Sequence, residues 1–338
     1  MTKTEISEIK ALLSSPKSIV IVPHKNPDGD AIGSSLGLYH YLLQYKHNIT
    51  IIAPNDYPSF LKWMPSENKI LHYDTNKDKA DILIHNADLI FTLDFNALFR
   101  TGDMEDVLNT SNGLKIMIDH HQQPADYAKY MYSDVSMSST CEMVYNFIEF
   151  LGDSEQINSA IASCLYTGIM TDTGSFRFPS TTSRTHRVIA NLIDKGAHNS
   201  EIHNAIYDTN RYERLQLLGT ALSNMKVLPE YNTAYISLTQ QELDTFNFQK
   251  GDTEGVVNYA LSLKGIVFAA IFIESSQESI IKISLRSKGD FSVNEFSRAH
   301  FNGGGHTNAA GGKSELTLTK TIEKFISILP DYKNALTP

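Results

Sequence analysis

Four times in its first half this chain runs through an apolar stretch that stops on aspartate or histidine. Ser18-Ile-Val-Ile-Val-Pro23 reads as a buried strand and leads into His24-Lys-Asn-Pro-Asp28-Gly-Asp30. A second strand, Asp88–Asp94, ends at Asp94, and a third, Leu114–Asp119, closes on Asp119-His120-His121. The apolar-periodic stretch Ile157 to Ile169 runs into Thr171-Asp172-Thr173-Gly174. Ile49–Ala53 is a further strand, and Leu36, Leu38, Tyr39, Leu42 and Leu43 recur at helical spacing. Strands alternating with helices predict an α/β fold whose N-terminal sheet is mainly parallel and flanked by helices. In such a sheet the carboxyl ends of the strands share one edge, so all four polar clusters can meet there.

The rest of the chain completes this domain and then reads as a second, smaller α/β domain. Ser138 to Leu151 is a predicted helix, with Ser138 or Ser139 as its cap and Glu142 near the capping-box position. From His186 to Val227 the pattern is helical, with Arg211–Lys226 a connecting helix and Pro229 a break. Beyond it, Thr233–Leu238, Ile266–Ile273 and Ser279–Arg286 read as strands, and Val256–Leu263, Val293–Phe301 and Thr319–Leu329 as helices. A chain of 338 residues is long enough for two domains. The expected division is a first domain over 1–195, a connecting helical segment over 196–229, and a second domain over 230–338.

Several classes are excluded. No apolar run approaches the ~20 residues of a membrane span. The start, Met-Thr-Lys-Thr-Glu-Ile, lacks the basic and apolar segments of a secretory signal. With only Cys141 and Cys164, neither a disulfide framework nor a cysteine-rich zinc site is available. A cytoplasmic, reducing location is expected. The net charge is −9, and residues 1–229 and 230–338 each carry more acidic than basic side chains. A long groove that tracks duplex phosphates is therefore not expected, so any nucleic-acid substrate is short and gripped locally.

Taken singly, each cluster has a bland reading: Asp30 as a helix cap, Asp94 as a turn former, Asp119-His120-His121 as a solvated loop, Asp172 as another cap. Gathered at one edge, the five aspartates Asp28, Asp30, Asp94, Asp119 and Asp172 repel one another unless cations lie among them. With His24, His120 and His121 they make a mixed carboxylate and imidazole donor set without thiolate. That set suits Mn²⁺, with Mg²⁺, Fe²⁺ or Co²⁺ as alternatives. We infer two divalent ions.

A different chemistry is written in Phe301-Asn302-Gly303-Gly304-Gly305-His306 and the small residues after it, up to Gly312. Consecutive glycines allow a loop that turns backbone N–H groups toward an anion, and His306 adds a charge-assisted donor. Arg286, at the end of a strand, can clamp a phosphate through two N–H groups.

These residues together resemble the DHH phosphoesterase family, named for the triplet seen here as Asp119-His120-His121. His24-Lys-Asn-Pro-Asp28-Gly-Asp30-Ala-Ile-Gly33-Ser34 is similar to its first motif, Asp94 to its second and Asp172-Thr-Gly-Ser-Phe to its fourth. Gly303–Gly312 resembles the loop of the DHH-associated C-terminal domain. The compact layout is similar to NrnA-type members, which degrade oligoribonucleotides of a few residues (nanoRNA) and dephosphorylate adenosine 3′,5′-bisphosphate (pAp).

The resemblance implies an active site in the cleft between the domains. One metal would be held by Asp30, Asp94, His120 and Asp172, and the other by His24 and Asp28, with Asp94 bridging. Asp119 would orient the metal-binding histidine, and His121 would face the scissile phosphate. Arg286, Gly303, Gly304, Gly305 and His306 would hold substrate. The implied partner is a short RNA or nucleotide, without long duplexes or membranes, and a homodimer stays open. Two departures from the family pattern are Asn302, where many relatives have a fourth glycine, and Phe95-Asn96 after Asp94, which are expected to alter phosphate geometry and base contacts. Alternative activities are hydrolysis of cyclic di-AMP or pApA. Less expected are pyrophosphate hydrolysis, RecJ-type exonuclease action on single-stranded DNA, and nucleotide binding without turnover.

Overall fold

The computed structural model describes residues 1–337, which form two compact units: Met1–Thr209, and a second beginning at Asn210. The division falls inside the segment expected to connect two domains. Among the described residues no helix is long and apolar enough to cross a membrane.

The first unit contains, in chain order, α1 (Lys3–Leu13), β1 (Ser18–Pro23), α2 (Gly29–Leu42), β2 (Asn48–Ala53), β3 (Leu71–His72), α3 (Lys77–His85), β4 (Leu89–Leu93) and α4 (Glu105–Thr110). It continues with β5 (Leu114–Asp119), β6 (Tyr130–Ser133), α5 (Thr140–Phe150), α6 (Ser159–Asp172), α7 (Ser183–Asp194) and α8 (Asn199–Tyr207). The strands form one sheet in the order β3-β2-β1-β4-β5-β6, parallel throughout. Every strand but the short edges is buried on both faces, as a helix-covered parallel sheet requires. Ile19 and Ile21 point into a core shared with α1, α2, α5 and α6, while Val20 and Val22 point into a second core with α3 and α4. The α/β expectation holds here. The short β3 and β6 carry too little apolar pattern to have been foreseen.

The topology places a crevice. From β1 the chain winds outward through β2 and β3, then returns to β4 on the other side of β1 and winds the opposite way. At that switch the loops leaving β1 and β4 diverge, which opens the sheet edge to ligands. The helix α2, which follows β1, lies directly on α6. Gly29, Gly33 and Gly37 recur every four residues on its contact face. A Cβ at Gly33 would sit 2.6 Å from the Cys164 carbonyl oxygen, and one at Gly168 only 3.0 Å from Cα of Asp30. The two helices therefore meet backbone to backbone, which brings the start of α2 against the end of α6.

The second unit contains α9 (Tyr212–Ser223), β7 (Lys226–Leu228), β8 (Thr233–Leu238), α10 (Gln240–Thr245), α11 (Val256–Leu261), β9 (Phe268–Ser275) and β10 (Ile280–Ser287). It ends with α12 (Val293–His300), β11 (Gly304–His306), β12 (Ala309–Ser314) and α13 (Leu318–Ile328). Its sheet runs β11-β12-β10-β9-β8-β7, antiparallel except for the β8–β9 pair. Phe268 and Phe272 pack against α12 and α13 on one face, and Ala269 and Ile271 against α9 and α11 on the other. The expected connecting helix is shorter than the sequence pattern indicated, because Lys226 opens the edge strand β7.

The helix contact yields a test. Gly33→Ala should destabilise the fold by about 1–3 kcal/mol through overpacking against the α6 backbone. The measure is the urea midpoint of metal-free protein, and a wild-type value would contradict the backbone-to-backbone contact.

Candidate functional site

Each polar cluster in the first unit sits where an element ends. His24 follows β1, Asp94 follows β4, the Asp119-His120-His121 triplet closes β5, and Asp172 is the last residue of α6. Asp28, not Asp30, caps α2: its Oδ1 accepts the N–H groups of Asp30 and Ala31 at 3.0 and 3.1 Å. Asp30 lies one turn-step inside, fully buried, and its carboxylate reaches the start of α5. There Oδ2 accepts from the Thr140 amide at 2.6 Å and Oδ1 from the Cys141 amide at 2.8 Å. An anion at a helix N-terminus is favoured by the orphan amides and the helix dipole.

His120 lies at the centre. Its Nε2 is 3.5 Å from Asp94 Oδ1, 3.6 Å from Asp172 Oδ2 and 3.7 Å from Asp30 Oδ2. Its Nδ1 faces the Met137 carbonyl oxygen at 3.2 Å. With the proton on Nδ1, the Nε2 lone pair points among three carboxylates, an arrangement that needs a positive charge in the gap. A second set stands beside it. His24 Nε2 is 3.4 Å from Asp94 Oδ2 and 3.9 Å from Asp28 Oδ1, and its Nδ1 lies 2.9 Å from the Lys25 carbonyl. Donors ~2.1 Å from one ion are themselves separated by roughly such distances. Asp30, His120 and Asp172 form one group able to hold a metal ion, and His24, Asp28 and Asp94 another. Asp94 turns Oδ1 to the first and Oδ2 to the second. The donors fit divalent cations.

Electrostatics repeat the point. Burial, reinforced by the charges of Asp94 and Asp172, holds the Asp30 carboxyl well above the usual carboxylate range. Burial, with the charge of Asp28, pushes Asp172 up to about 6 against the pull of His120. For Asp94 burial acts upward too, but bonds from His120 and His24 outweigh it and leave the group well below its ordinary value. Burial opposes the charged forms of His24 and His120, yet the carboxylates around them raise both. Asp94 also has a left-handed backbone, φ +66°, while its N–H bonds the Ile118 carbonyl at 3.1 Å. Strain of this kind persists where the surroundings over-determine a functional side chain.

One expected role is corrected. Asp119 does not orient His120, whose Nδ1 faces the Met137 carbonyl. Its Oδ1 lies 2.7 Å from Nδ1 of His121 instead, because residues two apart at a strand end return to the same side. The other oxygen, Asp119 Oδ2, is buried without a hydrogen-bond partner. The Phe95-Asn96 departure also has a local explanation. Phe95 is fully buried and stacks on Tyr127 at 6.3 Å, so it makes no base contact. Asn96 Nδ2 donates to the Gln122 carbonyl at 2.6 Å and braces the loop after the triplet.

Thr140 escaped the sequence reading. Its hydroxyl donates to Asp94 Oδ1 at 2.9 Å, in addition to its amide bond to Asp30. Ser139 caps α5 through the Glu142 amide, and Ser138 bonds the Glu142 carboxylate. Three hydroxyls in a row where one cap suffices were the available signal.

In the second unit the glycine stretch is not an open loop. Gly304–His306 pairs antiparallel with Ala309–Gly311, and Thr307-Asn308 makes the turn. The strand register sets Arg286, Ala309 and His306 opposite one another across β10, β12 and β11. A Cβ at Gly303 would overlap the Gly311 carbonyl oxygen and the Ser297 hydroxyl, so glycine is required there by space. Asn302 has φ +48°, a left-handed conformation that asparagine tolerates better than most side chains. Its substitution for glycine therefore leaves the backbone path intact.

Comparison with known proteins finds related chains. The family model described as DHH family, N-terminal domain, matches residues 18–169, and the DHHA1 domain model matches residues 232–334. The chain is 31% identical over 323 residues to the bifunctional oligoribonuclease and PAP phosphatase NrnA of Thermus thermophilus, covering 95% of this chain and 91% of that protein. It is 28% identical to the protein of the same description from Bacillus subtilis, covering 90% and 92%. The structure of an exopolyphosphatase-related protein from Bacteroides fragilis superposes with a TM-score of 0.94 at 44% identity, over 99% of this chain and 98% of that one.

The clustered charges make a pH prediction for protein stripped of cations. Asp30, Asp172, His24 and His120 all have raised folded-state values, so each binds protons more tightly folded than unfolded. Their contributions are complete below the ordinary values, 3.8 for aspartate and 6.5 for histidine, and are lost as pH rises through the folded values. The contribution of Asp94, with its lowered value, is already complete above 3.8. Metal-free stability should fall from pH 5 to 8, and the stabilisation by Mn²⁺ should grow over the same interval as the ligands deprotonate. Urea midpoints in EDTA and in Mn²⁺ at several pH values provide the measurement, with Asp172→Asn as a control of smaller slope. A metal-free midpoint that climbs across the interval would refute the assignment.

Proposed function

This chain belongs to the DHH family, and from that premise we propose that it is a divalent-cation-dependent phosphoesterase hydrolysing short oligoribonucleotides and adenosine 3′,5′-bisphosphate to mononucleotides. The observation that carries the reading is the division of Asp94: one carboxylate oxygen faces the Asp30–His120–Asp172 set and the other faces His24. In this reading Asp94 would be a ligand common to two ions, with Asp30, His120 and Asp172 completing one set and His24 and Asp28 the other. Mn²⁺ suits this donor chemistry. The ions supply Lewis acidity to phosphoryl oxygens and make water nucleophilic near neutral pH.

The side chains do the rest. Asp119 accepts the Nδ1–H of His121 and so orients the ring, and Nε2 donates to a phosphoryl oxygen when it too carries a proton. Asp30, fixed by two amides, and Asp94, fixed by backbone strain and Thr140, hold the cation positions before substrate arrives, and such preorganisation lowers the barrier. In the second unit, Arg286 and His306 share a cross-strand row, with Gly303, Gly304 and Gly305 just before His306 in the chain, and in this reading these residues hold a substrate phosphate. A local grip of that kind suits a chain of net charge −9, whose substrates are short. The descriptions of the Thermus and Bacillus relatives support the choice of nanoRNA and pAp.

The test is a panel of pAp, pApA, cyclic di-AMP, di- to pentaribonucleotides and pyrophosphate, with Mn²⁺ or EDTA. Mn²⁺-dependent release of mononucleotides from short RNA or pAp is expected, and turnover of pyrophosphate alone, or of nothing, overturns the reading. Asp94→Asn should lower kcat/KM by about 10²–10³-fold or more, since it disturbs both cation positions at once. Near-normal turnover in Mn²⁺ would refute the shared ligand. Arg286→Ala should raise KM about tenfold with little change in kcat, the mark of lost ground-state binding. A fall in kcat at constant KM would argue against an anchoring role.

A further inference from the structure

We propose that Thr140 is a positioning residue for the cation pair: its hydroxyl fixes the rotation of the Asp94 carboxylate, assigning Oδ1 to the Asp30–His120–Asp172 set and Oδ2 to the His24–Asp28 set. The inference rests on the phosphoesterase reading and deepens it.

A carboxylate turns easily about its last torsion, whose preferences are broad and two-fold, so covalent geometry does not distinguish its oxygens. The left-handed backbone of Asp94 aims the side chain into the crevice and leaves that torsion free. What selects an orientation must be a directed contact. The Thr140 hydroxyl donates to Oδ1 at 2.9 Å, against 3.4–3.7 Å for the three histidine nitrogens around the same carboxylate. Hydrogen-bond directionality weakens steeply over that difference.

Thr140 is suited to the task by its place in the chain. It is the first residue of α5 after the Ser139 cap, and it is fully buried. A threonine inside a helix turns its hydroxyl back onto a carbonyl three or four residues earlier. Here the hydroxyl goes to Asp94, and its β-branched Cβ resists rotation away. The backbone amide of the same residue bonds Asp30 Oδ2 at 2.6 Å. One residue thus ties a ligand of each kind, the shared Asp94 and the unshared Asp30, to one rigid helix end. The two ties lie on different atoms, so a side-chain substitution removes the first and keeps the second.

The set that depends most on the rotation is His24–Asp28–Asp94, because Asp28 is half exposed and only three protein groups contribute. T140V keeps the shape and branching and deletes the hydroxyl, and T140S keeps the hydroxyl. Full-length, metal-stripped protein is titrated with Mn²⁺ by equilibrium dialysis and metal analysis, with pAp kinetics alongside. In T140V the concentration that half-fills the weaker position should rise about 10–100-fold. At saturating Mn²⁺ the KM for pAp should stay within about threefold, and T140S should behave like wild type. If T140V does not fold, T140A carries the same comparison.

Wild-type Mn²⁺ affinity in T140V overturns the proposal, as does failure of T140S to restore it. A drop in the melting point of metal-free protein without a change in affinity assigns Thr140 a purely structural role and also overturns it. Wild-type protein that binds two Mn²⁺ ions yet hydrolyses no phosphoester refutes the reading of function, while the affinity comparison still decides the role of Thr140. Wild-type protein that takes up no Mn²⁺ refutes both.

Discussion

Mutual repulsion among buried carboxylates is the constraint around which the first unit is organised. Asp30, Asp94 and Asp119 are almost wholly removed from water, and Asp28 and Asp172 flank them at the rim. Bringing such groups together is unfavourable unless positive charge accompanies them. The fold supplies part of that charge itself. The α5 amides take Asp30, the α2 amides take Asp28, and three imidazoles stand between the carboxylates. What the protein does not neutralise is concentrated at two neighbouring points, each faced by one oxygen of Asp94. The unfavourable clustering thus makes groups of donors that could hold cations.

Holding these groups at fixed positions demands stiffness that loops alone do not provide. The ligands come from the ends of β1, β4 and β5 and from the facing ends of α2 and α6. The strand ends are fixed by the parallel ladder. The helix ends are fixed by the close approach at Gly33 and Gly168, where the two backbones meet beside Cys141 Sγ. Packing at that contact therefore sets the separation of Asp30 from Asp172. Gly33 and Gly168 touch no substrate, yet the geometry of the centre passes through them.

Much of this was legible in the sequence, for physical reasons that also mark where legibility stopped. The strand ends could be read because apolar runs give way to Asp and His abruptly, and a parallel sheet leaves no other place for them to converge. The bland alternative of Asp30 as the cap of α2 misses by two residues: both Asp28 and Asp30 satisfy the composition of a cap, and only the backbone turn at Pro27 and Gly29 decides between them. The partner of Asp119 could not be read, since three consecutive polar residues at a strand end can alternate or fold back. The glycines of Gly303–Gly312 signalled permissive backbone but not its use. They form a hairpin in which packing against Ser297 and Phe301 leaves no room for side chains at Gly303 and Gly312. Thr140 was hidden by its neighbours, since a run of hydroxyls before a helix is explained by capping alone.

The proposed function poses one chemical problem. A phosphoester anion must be attracted to a region that is itself rich in carboxylates, in a protein of net negative charge. Bulk electrostatics works against such an encounter, so affinity has to come from short-range, directional donors. The first unit offers carboxylate and imidazole groups that could hold cations, and the second offers a guanidinium and an imidazole set in one cross-strand row. On the proposed function, a preference for short substrates would follow from how few cationic groups the second unit places in that row, since lengthening a polyanion adds charge without adding donors.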